Sequence, residues 1–122
     1  MTLLKILPLI IAFVFSSISF AEEADVLNVE VKKMSKGTYQ FSVTVSHKDE
    51  GWNHYADKWD IAAPDGTILA TRTLHHPHVD EQPFTRSLSG VKISSKIKKV
   101  TVRANDSVHG FGGKTISVTL PQ

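Results

Sequence analysis

YQFSVTVS, residues 39–46, decides the fold. Tyr39, Phe41, Val43 and Val45 alternate with Gln40, Ser42, Thr44 and Ser46. A two-residue period puts the four apolar side chains on one face of a half-buried strand. The same period recurs outward from this stretch. On the N-terminal side, Leu27, Val29 and Val31 alternate with Asn28, Glu30 and Lys32, and Lys36-Gly37 turns the chain. On the C-terminal side, strands are expected over 57–63, 67–74, 84–89, 97–106 and 114–120. Trp59, Ile61 and Ala63, then Val100, Val102 and Ala104, then Ile116, Val118 and Leu120 form their inward columns. Pro64-Asp65-Gly66 is a tight-turn signal, because proline presets one dihedral and glycine accepts positive φ. No helical period appears after the first 21 residues.

Seven short strands within about 100 residues predict a single antiparallel β-sandwich of immunoglobulin or fibronectin type III class, with Trp59 in its core. The N-terminus reads differently. Lys5 precedes an apolar run, Ile6 to Phe15, followed by serines and Ser19-Phe20-Ala21. This is the pattern of a cleavable signal peptide, residues 1–21, with the sandwich domain over 22–122. It predicts a periplasmic or secreted protein with no stable membrane insertion after cleavage. The chain has no cysteine, so disulfides, thiolate metal sites and thiol nucleophiles are excluded, and no thiol is offered to a lipid anchor. Fourteen basic and twelve acidic side chains give a net charge of +2, which does not suggest nucleic acid. The run Lys92, Lys96, Lys98 and Lys99 reads as a solvated turn.

The six histidines are placed unevenly. In an antiparallel chain, successive connections alternate between the two ends of the sheets. The second connection (48–56), the fourth (75–83) and the sixth (107–113) therefore share one pole. His47, His54, His75, His76, His78 and His109 all lie in or beside these three. The connections at the other pole hold none. Long loops rich in His, Trp, Asp and Gly on a rigid scaffold are common carriers of binding function.

Imidazole and carboxylate together suit Zn2+ or Cu2+. His76 and His78 project to one side of an extended segment, with Asp80 next in the alternation. Across the pole, His54 and His109 are expected to complete the ligand set. His47 continues the inward column of the second strand and Asp106 that of the sixth. These two are expected to meet at the upper edge of the core, as supports that satisfy each other's buried polar groups. Arg86 shares the parity of Phe84 and Leu88, so it needs a carboxylate partner such as Asp57, Asp60 or Glu81.

Alternatively, Trp52, Tyr55 and Phe111, with Val79, form a surface that docks a periplasmic protein partner. A hydrolase built from Asp106, Ser107 and His109 is disfavoured, because triad members usually come from separate elements. The chain is expected to be non-enzymatic.

HPHVDEQPFTRSLSGV (residues 76–91) and VTVRANDSVHGFGGKT (residues 100–115) resemble stretches of a family of small secreted proteins of proteobacteria with no assigned activity. The resemblance implies a periplasmic domain. It assigns no role to the histidines within it.

Overall fold

The computed structural model describes residues 23–122. The expected signal peptide, residues 1–21, lies outside the described residues. Seven strands follow in order: β1 (Asp25–Ser35), β2 (Thr38–Ser46), β3 (Ala56–Ala62), β4 (Ile68–Thr73), β5 (Phe84–Lys92), β6 (Lys99–Asp106) and β7 (Ile116–Thr119). They form two antiparallel sheets, β1-β2-β5 and β4-β3-β6-β7. The described residues contain no helix.

One apolar core joins the sheets. Val26, Phe41, Val43, Val45 and Phe84 enter it from the three-stranded sheet, and Trp59, Ile61, Val100, Val102 and Ala104 from the four-stranded one. Burying an aromatic or branched side chain contributes about 1.5–3 kcal/mol. With no disulfide, this core is the main source of stability. β2 alternates without a break between inward and outward residues, as its period predicts.

Three departures from the expected strands have local causes. β1 carries a register shift between Val26 and Asn28, so Val26 is buried and Leu27 is turned out to solvent, 48% exposed. β5 does not stop at Ser89 but runs to Lys92. Leu88 faces Phe41 and Val91 faces Tyr39, which leaves Ser89 and Gly90 together opposite Gln40. Gly90 has φ 71°, a left-handed conformation that glycine adopts without strain and that lets the bulge form inside the strand. β7 begins only at Ile116 because Lys114 is used by the other sheet. Its N–H donates to Asp25 Oδ1 at 2.7 Å, and its carbonyl accepts from Val26 N–H at 2.8 Å.

Candidate metal centre

β2 and β6 lie in opposite sheets, and each ends its inward column with a polar residue at the same edge of the core. Beyond Val45 the column places His47, and beyond Ala104 it places Asp106. His47 Nε2 lies 2.8 Å from Asp106 Oδ2, with both side chains wholly buried. This is the meeting the two columns predict.

Two loops close over that pair. In the β2–β3 loop, Gly51 and His54 bridge each other, with Glu50 N–H donating to the His54 carbonyl at 2.9 Å. The turn swings His54 Nε2 to 2.8 Å from the same Asp106 oxygen. In the β6–β7 loop, Asp106 and Gly110 form a second bridge. Asp106 Oδ1 accepts the N–H groups of Val108, at 2.7 Å, and His109, at 3.2 Å. That turn brings His109 Nδ1 to 3.1 Å from Oδ2. Three imidazole nitrogens from three segments thus converge on one carboxylate oxygen. The His47 and His54 rings are 4.9 Å apart and the His54 and His109 rings 5.0 Å apart.

The far sides of two of these rings are backed by acid. His47 Nδ1 lies 2.5 Å from Asp49 Oδ1. His54 Nδ1 lies 3.5 Å from Glu50 Oε2. Asp49 is itself buried and held by the N–H groups of Ala56, at 3.0 Å, and His78, at 2.7 Å.

Burial opposes ionisation of Asp106. The N–H groups of Val108 and His109 and the rings of His54 and His109 outweigh it, and hold the carboxyl well below its ordinary value. Asp49 follows the same pattern. Burial raises its carboxyl, but the His47 ring and the His78 and Ala56 amides lower it further. Both are therefore carboxylates at neutral pH. A ring between two carboxylates serves both only with a proton or a cation at each nitrogen. One ligand atom from each of His47, His54 and Asp106 lies within 4.8 Å of the others, a spacing that side-chain rotation closes around a single ion. Among the described residues, no other group of three or more such side chains comes together in this way.

The 75–83 loop shares the pole but not the cluster. His78 stacks flat on Phe84, with ring centroids 4.0 Å apart. Its Nε2 accepts from Arg86 Nη2 at 2.9 Å, so the ring proton sits on Nδ1, which is buried and 4.0 Å from Asp49 Oδ2. Burial, then the Arg86 charge, lowers the His78 pKa, so the ring is neutral. Nε2 is committed to Arg86, and His78 does not join the group formed by His47, His54 and Asp106. His76 packs beside His78 with its ring centroid 4.7 Å away and is exposed, as is Asp80. Arg86 finds Glu81 among its expected partners, at 3.4 Å, and also covers the Phe84 ring. The other two acids are engaged elsewhere: Asp57 accepts from Asn105, and Asp60 from Thr71 and Arg103.

The aromatic residues separate similarly. Trp52 is 68% exposed at the tip of its turn, with Tyr55 against its edge. Phe111 lies under the Arg103 guanidinium, 3.8 Å from the ring centroid. Asp49, Glu50 and Gln82 were not singled out from sequence as site residues. For Asp49 a signal existed, since 45, 47 and 49 keep the inward parity of β2 beyond its last residue.

No protein-family profile and no solved structure matches the chain. Over 96 residues, 79% of its length, it is 36% identical to a protein of Halomicrobium mukohataei named "Putative lipoprotein". The chain covers 47% of that relative. It is thus similar, over most of its own length, to about half of a larger protein.

Proposed function

We propose that the chain is an extracytoplasmic, non-enzymatic binding domain that holds one divalent transition metal ion, Zn2+ or Cu2+, at one pole of an immunoglobulin or fibronectin type III-like β-sandwich. The strand order β1-β2-β5 against β4-β3-β6-β7 supports that fold class. The name of the Halomicrobium mukohataei relative supports the location, as does the leader pattern of residues 1–21.

One observation carries the metal reading. His47 and His54 each aim Nε2 at the same Asp106 oxygen and rest Nδ1 on a second carboxylate. Metal-bound histidines are held in this way, because the outer carboxylate fixes the tautomer and raises the basicity of the ligating nitrogen. His47 Nε2, His54 Nε2, Asp106 Oδ2 and His109 Nδ1 make a mixed nitrogen and oxygen set suited to either ion. His109, with 32% of its side chain exposed, is the ligand nearest solvent and marks the way in.

Ion binding to the folded chain alone stabilises it by about 2.7 kcal/mol at a hundredfold excess over Kd. In a domain of this size that corresponds to a rise in Tm of roughly 10–20 °C. Thermal melts with and without Zn2+ or Cu2+ should show it, and His54→Ala should abolish it. An unchanged Tm in wild-type protein contradicts the reading.

A second reading, an accessory module docking a periplasmic protein partner, draws on Trp52, Val79 and Val108. Each is more than half exposed, and one comes from each loop of the pole. It predicts that Trp52→Ala releases a partner in pull-down while the metal response is unaffected.

A further inference from the structure

Asp49 receives its hydrogen bonds from three separate parts of the chain. His47 follows β2, Ala56 opens β3, and His78 lies in the β4–β5 loop. Gln82 adds a second stitch between the same regions. Its Oε1 accepts from His47 N–H at 3.0 Å, and its Nε2 donates to the His78 carbonyl at 2.8 Å. The β4–β5 loop offers no ligand atom to the centre, yet it grips both the backbone of His47 and the acid that orients the His47 ring.

Resting on the metal reading above, we infer that Asp49 is a positioning residue through which the β4–β5 loop sets the affinity of the metal centre. An ionised carboxylate only accepts hydrogen bonds. Facing Nδ1, it keeps the ring proton there and leaves the Nε2 lone pair for the ion. Its other oxygen is fixed by His78 N–H, so a shift of the loop moves the carboxylate and the ring together.

Asparagine cannot replace it. With the amide oxygen toward His47, the NH2 group meets His78 N–H, donor against donor. With the amide reversed, NH2 faces Nδ1 and the ring proton moves to Nε2, where the ion must bind. Loss of such an orienting acid typically weakens metal binding 10–100-fold. Gln82→Ala leaves Asp49 in place but loosens the loop, so a smaller loss is expected.

The test is calorimetric titration with Zn2+ of wild type, Asp49→Asn and Gln82→Ala, each checked for folding by circular dichroism. It is joined by long-range 1H–15N NMR of the His47 ring in zinc-loaded wild type. We expect binding about 10–100-fold weaker in Asp49→Asn, with Gln82→Ala between it and wild type. We also expect His47 to keep its Nδ1 proton while Nε2 carries the ion. Equal affinities in all three proteins, or a His47 ring ligated through Nδ1, overturn the inference while leaving the metal site standing. If Asp49→Asn does not fold, the Gln82→Ala affinity and the wild-type tautomer decide. If wild type binds no zinc, the same titrations with Cu2+ decide, and absence of binding to both ions removes the metal reading and this inference with it.

Discussion

Two histidine-rich regions share one pole of this molecule and use the same side chain in opposite ways. Around Asp106, three imidazoles turn nitrogens toward a single oxygen. In the 75–83 loop, which is denser in histidine, the rings do structural work: His78 stacks on Phe84 and accepts from Arg86, and His76 packs against His78. Density in sequence therefore does not locate the convergent cluster. The position at which an inward strand column runs out of apolar residues does, because there a polar side chain is held rigidly against the opposite sheet.

The contrast breaks first at Asp106. Asp106→Ala leaves His47 buried against Asp49 without its second acid, and strands the N–H groups of Val108 and His109. Leaving a buried donor without its acceptor costs about 1–3 kcal/mol. Urea denaturation should show a loss of that size together with loss of any metal response. A loss below about 1 kcal/mol would mean that the cluster is not a buried hydrogen-bonded network.

The second largest effect separates the regions by ligand. His54→Ala should remove the metal-induced rise in Tm of roughly 10–20 °C, whereas His76→Ala should keep it. The reverse result would move the centre to the 75–83 loop.

The smallest effect concerns acid. Asp49 and Asp106 have depressed carboxyl pKa values, so the unfolded chain binds more protons than the folded one below the ordinary aspartate range. Their contribution is complete above pH ~4 and lost as pH falls through the depressed values. His78 is also depressed, so the folded chain resists a proton that the unfolded chain takes up below pH ~6.5. Its share of the acid loss thus begins at higher pH than that of the aspartates. His78→Phe keeps the stack on Phe84 and should flatten the stability profile as pH begins to fall below ~6.5, leaving the steeper loss below pH ~4. An unaltered profile would contradict a neutral, buried His78.

Much of this was legible in the sequence, for a specific reason. Period-two columns in β2, β3 and β6 predicted the inward faces, the shared pole and the meeting of His47 with Asp106. Less legible was anything set by backbone detail. The bulge that turns Leu27 outward and the one that carries β5 past Gly90 break the period locally. The choice between the two histidine groups depended on turns at Gly51 and Gly110, whose bridges aim His54 and His109 at Asp106. Spacing within 75–83 could not reveal that Arg86 and Phe84 already occupy His78.

The most direct measurement is the metal content of protein expressed from the full sequence, recovered without a histidine tag and analysed by elemental mass spectrometry alongside an Asp106→Ala preparation. One equivalent of zinc or copper in wild type, absent from the variant, is the predicted result. Equal and substoichiometric metal in both would contradict a metal centre at Asp106.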